Sequence, residues 1–212
     1  MIYAENILLC IGIPLLIVVF FIWGNTRRFI SAFLIGMLMC LFSAYISGFL
    51  FVSLGWSETD TMIFISPIVE EIMKFLPLLF YLFLLEPEDE HMLLVATGLG
   101  AGFATFENCC YILTAGAESL PYIMVRGMAV GVMHIISILV LAFSFVLVKR
   151  YKAFGFPAIL GSLSLSMTFH ALYNLLVSEP GPLSWIGYAL PLLTTLILYK
   201  PYWKFRNQKI HE

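Results

Sequence analysis

The chain has 212 residues, of which 61% are hydrophobic and only 11% are charged. Together with a mean hydropathy of +0.98, this composition excludes an ordinary soluble domain and indicates a membrane protein. The formal net charge of -2 argues against nucleic acid as a partner. We expect an all-α fold, a polytopic helical bundle in contact with the lipid bilayer, because no alternating strand pattern suggests a barrel.

Hydropathy predicts about seven transmembrane helices, each close to the roughly 20 residues needed to cross the hydrocarbon. The predicted spans are 7–23, 29–54, 61–85, 92–115, 121–148, 154–177 and 183–199. Residues 1–200 then form a single transmembrane domain, and residues 201–212 form a short basic tail.

The basic residues of the loops predict the orientation of the bundle. If the N-terminus is extracytoplasmic, the outer loops carry no Lys or Arg, and nine basic residues lie on the inner side. Those nine are Arg27, Arg28, Lys149, Arg150, Lys152, Lys200, Lys204, Arg206 and Lys209. Because cytoplasmic loops are enriched in Lys and Arg, the C-terminus and its tail are expected in the cytoplasm.

The third predicted span contains two adjacent carboxylates and a lysine, Glu70, Glu71 and Lys74. Charge inside the hydrocarbon is costly and usually marks a functional site. Pro67 and Pro77 bracket the motif and each removes a backbone donor, so we expect a kinked or partly opened helix there. Lys74 is in reach of both carboxylates. We expect it to hold Glu70 and to leave Glu71 as the leading general base, although the two roles can be exchanged.

The next three predicted spans carry further polar side chains at similar depth. Counted from the outer ends, the acidic pair and the main polar groups lie roughly 10 to 20 Å deep, in one layer. Gly98–Gly102 and Gly127–Gly131 are GxxxG motifs, which predict close helix approach beside this layer. Glu107, His134 and His170 lie in this layer, with Asn108 next to Glu107 and Asn174 one turn beyond His170. Arg126 is shallower, about two turns from His134.

The composition of this layer is compatible with two kinds of hydrolytic chemistry. Amide hydrolysis needs an activated water, a proton donor and stabilisation of the oxyanion, for which His170 and Asn174 are candidate donors. Glu107 and His134 either orient the water without a metal, or join His170 in a zinc site with an open fourth position. The sequence leaves open whether the cofactor is one zinc ion or none.

Four motifs in order resemble those of the PrsW family of intramembrane proteases. They are EExxK at 70–74, FxxxEN at 103–108, the Arg126 to His134 pair, and HxxxN at 170–174. That family is related to the CAAX prenyl endopeptidases and bacteriocin-immunity proteases. This chain departs from the broader group's pattern, with Lys74 in place of an arginine and Glu107 in place of a histidine.

The resemblance implies an intramembrane endopeptidase, glutamate-dependent or metal-dependent, in a bacterial cell membrane. Its expected partner is a single-span membrane protein of the anti-sigma factor type, cut on the extracytoplasmic side to begin a stress response. Residues 1–200 would then be the protease domain. The implied catalytic residues are Glu70, Glu71, Glu107, His134 and His170, supported by Lys74, Asn108, Arg126 and Asn174.

Two other function classes are compatible with intramembrane carboxylates. An ion-coupled transporter would also use a broken helix, but the chain shows no convincing internal repeat. In a non-enzymatic scaffold or immunity protein, the same cluster would only hold the bundle together.

Overall fold

The computed structural model describes residues 4–115, 119–151, 155–179 and 181–208. Across these residues the chain is helical apart from short connections and contains no strand, which confirms the all-α prediction. Lys152 and the end of the predicted basic tail, 209–212, lie outside the described residues.

Eight α-helices and one π-helical turn follow one another along the described chain. The first pair leads to a short broken segment, and five long helices complete the bundle. In order they are α1 (Ala4–Val19), α2 (Gly24–Leu54), α3 (Glu58–Asp60), the π-helical turn (Thr61–Ile65), α4 (Ser66–Leu85), α5 (Asp89–Ala115), α6 (Leu120–Tyr151), α7 (Gly155–Ser178) and α8 (Pro182–Gln208).

Five of these helices, α2 and α5 to α8, are long and apolar enough to cross a membrane. Large apolar side chains such as Phe20, Phe49 and Phe83 are about 70% exposed, as expected for a surface in contact with lipid. The protein is therefore a membrane-embedded, multi-pass helical protein. The predicted total of seven membrane-spanning helices also includes α1, which has 16 residues, and α4, which carries charged residues. That total stays a prediction.

The third predicted span is not one regular helix. Before Pro67 the chain forms the π-helical turn, in which the Ser66 N–H donates to the Thr61 carbonyl. Pro67 then lies at the start of α4, where its missing N–H is tolerated. The predicted irregularity near Pro67 is present as this π-helical turn, although the helical run from 58 to 85 is not interrupted. Pro77 lies inside α4, which continues to Leu85.

The glycine motif of α5 packs directly against the backbone of α2. A Cβ added at Gly102 would lie 1.9 Å from the Phe33 carbonyl oxygen, which leaves no room for any side chain. The predicted close approach at Gly98–Gly102 is confirmed, but the one at Gly127–Gly131 is wrong. A Cβ at Gly131 would meet nothing within 4 Å, and Gly100 instead provides the contact between α5 and α6.

Candidate active site

Lys74 lies at the centre of a buried polar network that joins α4 to α6. Its Nζ is 2.6 Å from Glu71 Oε1, 3.0 Å from His134 Nδ1 and 2.8 Å from Ser137 Oγ. Both members of the Lys74–Glu71 pair are fully buried. A buried ammonium is tolerated only when paired and hydrogen-bonded, and these three contacts meet that requirement.

The partner of Lys74 is the reverse of the one expected from the sequence. Lys74 pairs with Glu71, not with Glu70, because His134 and Ser137 of α6 hold the ammonium on that side of α4. Glu71 Oε1 also lies 2.8 Å from His170 Nδ1. Glu71 thus has no exposed surface and has its Oε1 engaged by two neighbours, while its Oε2 is buried without a hydrogen-bond partner in the described chain.

Glu70 points to the more open edge of the same network. Its side chain is 17% exposed, and its Oε2 lies 3.6 Å from His170 Nε2. Within the described chain, this buried oxygen has no hydrogen-bond partner. A proton on His170 Nδ1, donated to Glu71, would leave the Nε2 lone pair directed towards Glu70.

Glu107 joins the network through the other nitrogen of His134. Glu107 Oε2 is 2.5 Å from His134 Nε2, and Glu107 Oε1 is 3.4 Å from Arg126 Nη2. Arg126 also donates to the Asn108 side-chain oxygen. Helix α5 therefore presents a carboxylate that is held by α6 yet remains 31% exposed.

Three side chains that the sequence analysis did not select support these groups. Ser137 of α6 accepts a hydrogen bond from Lys74 Nζ through its Oγ. The Phe103 ring lies 4.7 Å from that of His134, and Tyr111 stacks against Arg126 with 3.5 Å between guanidinium carbon and ring centre. Two of the three had a signal in the sequence: Ser137 follows His134 by three residues and so shares its helix face, and Phe103 begins the FxxxEN motif at 103–108.

Asn174 contacts the backbone of the broken segment. Its Nδ2 donates to the Met62 carbonyl at 3.0 Å. In the π-helical turn each carbonyl accepts from the N–H five residues later, as the Thr61 carbonyl does from Ser66. By the same spacing, the Met62 carbonyl would accept from the N–H of residue 67, which is a proline. Because proline has no N–H, Asn174 supplies the missing donor. Asn174 thus holds the π-helical turn, and its predicted contact with the oxyanion stays a prediction.

A divalent metal fits one part of the network. Ligand atoms of Glu70, His134 and His170 all lie within 4.8 Å of one another. The unpartnered Glu70 oxygen and the two imidazoles are donors typical of zinc, and Glu71 can orient His170 from behind. Glu107, named with the two histidines from the sequence, instead contacts His134 Nε2.

Buried carboxylates, imidazoles and a lysine inside a multi-pass bundle are features of an intramembrane enzyme. A family model described as PrsW family intramembrane metalloprotease matches residues 14–200. The chain therefore belongs to this family, as its four motifs predicted. Neither a curated protein nor a solved structure matches the chain.

Proposed function

We propose that the protein is a peptidase that hydrolyses a peptide bond of a membrane-anchored protein at the Glu70 edge of the network. Family membership supports intramembrane peptidase activity. The observation that carries the site assignment is the partly exposed Glu70 carboxylate, whose unpartnered Oε2 lies beside His170 Nε2; the unpartnered Oε2 of Glu71 belongs to a side chain with no exposed surface. An unsatisfied buried carboxylate oxygen is costly, and such groups are retained where they bind a ligand or a reactant.

Glu70, His134 and His170 would hold the metal implied by the family. A bound zinc ion supplies an activated water and polarises the substrate carbonyl. If His134 bound the metal through Nε2, its contact with Glu107 Oε2 would be broken and the Nε2 proton would pass to solvent, which would free that carboxylate for acid–base work. Metal binding and the availability of a base are thereby linked.

Glu107 is assigned as the general base in place of Glu71. It lines the same cavity as Glu70 and remains 31% exposed, whereas Glu71 is fully buried and paired. Glu107 takes a proton from the attacking water and returns it to the leaving amine nitrogen. Arg126 holds the second oxygen of this carboxylate throughout.

Glu71 and Lys74 act through the histidines. The Glu71 contact with His170 Nδ1 keeps the opposite nitrogen directed at Glu70. Lys74 neutralises Glu71 and contacts His134. Such partners behind metal ligands set ring orientation, and their loss typically lowers metal affinity or activity about 10- to 100-fold.

The substrate we propose is a single-span anti-sigma factor, cut near the extracytoplasmic surface of a bacterial membrane. The excess of basic residues on one side favours an extracytoplasmic N-terminus. Arg28 of α2 contacts His91 of α5, and Lys149 of α6 donates to the Pro87 carbonyl just before α5. These contacts join α2, α5 and α6 at their proposed inner ends. Glu70 lies fifteen residues before the end of α4 at Leu85, about 22 Å from that inner end.

The activity is tested by metal analysis and cleavage with a co-expressed single-span anti-sigma factor. We expect zinc in the purified wild-type protein, and expect Glu70→Gln to lose metal and at least about 100-fold in cleavage rate. Glu90→Gln, an exposed acidic position at the start of α5, is the matched control and should retain both. Full activity of Glu70→Gln would reject the site, and cleavage by metal-free protein would show that the reaction does not need a metal.

The orientation is tested by labelling single cysteines in intact cells with a membrane-impermeant thiol reagent. Ser57→Cys and Ser119→Cys should be labelled from outside, and Glu90→Cys only after permeabilisation. The opposite pattern would place the cluster and the cut nearer the cytoplasm. The background for these variants replaces the native thiols Cys10, Cys40, Cys109 and Cys110.

A further inference from the structure

A cavity of about 460 Å³ lies between α2, α4 and α5, away from the polar network. Its α2 wall begins at Gly24, the first residue of that helix, and continues to Ile35. Its α4 wall extends from Pro77 to Leu85, the last residue of α4. We call this cavity, lined by α2 and α4 over residues 24–35 and 77–85, the basic groove. None of its lining residues belongs to the proposed reactive centre, so that chemistry does not account for it.

The basic groove is polar near one end and apolar along the rest of its length. Arg27 and Arg28, both exposed, line it at the start of α2. Farther along the two walls, the lining includes Ile35, which is 41% exposed, and Phe80, which is 67% exposed. An occupant that matches this lining has negative charge at one end and hydrocarbon at the other.

The two arginines keep their positive charge unpaired by the protein. Arg28 Nη1 donates to Asn25 Oδ1 at 3.0 Å and lies 3.0 Å from His91 Nε2, and neither partner is a carboxylate. The guanidinium carbon of Arg27 lies 5.8 Å from the centre of the Trp23 ring. Among the residues that the structure describes, no ion pair includes either arginine. Adjacent positive charges therefore line the groove without a counter-charge from a described side chain.

The length of the basic groove matches one leaflet of a bilayer. Trp23, just before α2, is 76% exposed, and tryptophan is typical of the membrane–water interface. From Gly24 to Ile35 a helix near the membrane normal rises about 16 Å, at 1.5 Å per residue. The hydrocarbon of a bilayer is roughly 30 Å thick, so the groove ends near its centre. This is the length available to an acyl chain of a lipid in that leaflet.

A cavity on the other side of the bundle shows what the arginines add. It lies between α6, α7 and α8, has a volume of about 620 Å³, and is lined by side chains such as Phe143 and Leu147. In the described chain, its lining includes hydroxyls but no charged group. Such a surface accommodates the hydrocarbon of any lipid, whereas the basic groove also distinguishes headgroups by charge.

We propose that the basic groove binds one anionic phospholipid, with the headgroup phosphate at Arg27 and Arg28 and one acyl chain along the apolar walls of α2 and α4. Guanidinium groups bind phosphate through a planar set of donors. Basic pockets between membrane helices recognise anionic headgroups in this way. A free phosphate would leave the apolar walls uncovered, and an apolar peptide would leave the arginines without an anion. The inference does not depend on the peptidase function.

The bound lipid packs against the helix that carries the reactive groups. Pro77, Phe80, Tyr81 and Leu85 share one face of α4, and all four line the groove. Pro77 has no N–H to donate, so α4 lacks one of its own hydrogen bonds at the deep end of the groove. Lys74 lies three residues before that position. The lipid therefore stabilises the half of α4 next to the buried network.

Lipid binding is measured by native mass spectrometry of the full-length protein in detergent. The probes are phosphatidylglycerol and phosphatidylcholine with identical acyl chains. We expect the wild type to bind one phosphatidylglycerol about ten-fold or more tightly than phosphatidylcholine, and Arg27→Gln with Arg28→Gln to lose this preference. The matched control is Lys149→Gln with Arg150→Gln, which removes two adjacent charges at the same end of the bundle but outside the groove. It should keep the preference.

A second pair of variants tests the apolar part of the groove without changing charge. Ile35→Trp fills the groove and should weaken phosphatidylglycerol binding about as much as loss of the arginines. Ile46→Trp is the matched control, because Ile46 lies on the same helix, is 40% exposed and does not line the groove. It should bind like the wild type. This comparison decides the matter if the double arginine variant fails to fold.

Thermal unfolding in detergent distinguishes a lipid from a free anion. Because a ligand that binds only the folded state stabilises it, phosphatidylglycerol should raise the Tm of the wild type by about 3 °C or more. Inorganic phosphate at the same concentration should leave Tm unchanged. Neither addition should change the Tm of the double arginine variant.

Four results would overturn the inference. They are equal binding of the two lipids by the wild type, wild-type binding by both Ile35→Trp and the double arginine variant, an equal loss in the Lys149 and Arg150 control, and stabilisation by inorganic phosphate in place of lipid. The third would show general attraction to a basic surface, and the fourth a site for a free anion. Because no arm measures cleavage, a protein that binds the lipid but cleaves nothing would support the groove and reject the peptidase function.

Discussion

Glu70 and Glu71 are neighbours in the chain but lie in opposite environments. Glu71 is fully buried between Lys74 and His170, with its Oε1 used by both. Glu70 is 17% exposed and lines the cavity that it shares with Glu107. Each carboxylate of α4 keeps an Oε2 without a hydrogen bond in the described chain, so the two differ in exposure and in the partners of Oε1. Successive helix residues point about 100° apart, so one turn of α4 places one carboxylate in the packed network and the other at the cavity.

This difference teaches how a membrane protein can keep a reactive carboxylate inside the hydrocarbon. The paired residue anchors the network to α6 and α7, and that anchored network holds His170 beside the unpaired one. Under the proposed function, Glu71 contributes mainly to stability and Glu70 mainly to reactivity. Substitutions at each position test this difference, because one should change the free energy of unfolding and the other the cleavage rate.

The largest expected effect follows from breaking the Lys74–Glu71 pair. Lys74→Met or Glu71→Gln leaves a buried charge without its partner, and each should lower the free energy of unfolding by about 3–5 kcal/mol. The double variant should recover most of that loss. Glu70→Gln, by contrast, removes an unpaired buried charge and should be as stable as the wild type or more so.

Thermal unfolding in detergent, followed as a double-mutant cycle, measures these differences. Losses for Lys74→Met and Glu71→Gln that simply add in the double variant would show that the pair is not the unit of stability. A destabilised Glu70→Gln would remove the contrast between the two carboxylates.

A smaller effect is expected from the contact that holds the segment before Glu70. Asn174→Ala leaves the Met62 carbonyl without its donor and should cost about 1–2 kcal/mol of positioning, or roughly ten-fold in cleavage rate. Asn174→Asp, similar in size but without the amide N–H, should behave in the same way. Pro67→Ala restores a backbone N–H five residues after Met62, so it should rescue Asn174→Ala.

Cleavage rates of the single and double variants test this arrangement. If Asn174 acts through some contact other than the Met62 carbonyl, the losses in cleavage rate of Asn174→Ala and Pro67→Ala should add in the double variant. If it acts through that carbonyl, the double variant should cleave faster than Asn174→Ala alone.

The smallest effect concerns the third carboxylate, Glu107. Arg126→Lys keeps the positive charge but loses the planar group that contacts Glu107 and Asn108 and stacks on Tyr111. We expect a two- to ten-fold lower cleavage rate with little change in stability, corresponding to about 0.5–1.5 kcal/mol. An unchanged rate would show that Glu107 is positioned by His134 alone.

Much of the fold and the membership of the network follow from the sequence. Charges within apolar segments must find partners, and that requirement alone selects Glu70, Glu71, Lys74, Glu107 and His134. The irregular turn before α4 is consistent with Pro67, which removes one backbone donor there, whereas Pro77 lies within α4 without ending it. Both features depend on residue type and on near neighbours in the chain, and these can be identified from the sequence alone.

The pairing within the network did not follow from the sequence. Lys74 can reach residues three or four positions before it equally well, and the choice of Glu71 depends on His134 and Ser137 of another helix. The contact of Asn174 with Met62 joins residues 112 positions apart. Likewise, the glycines of 127–131 resemble a packing motif, but only the angle of α6 decides which face meets a neighbour.

The three charges of α4 also bear on how the chain is made. Placing a charged residue at the centre of a membrane helix costs about 2.5–3.5 kcal/mol on insertion scales, so α4 is poorly suited to remain alone in lipid. Its partners His134 and His170 belong to α6 and α7, which are synthesised later. We therefore expect α4 to settle into the bilayer only after those helices have emerged, so that maturation of the reactive centre is one of the last events in biogenesis.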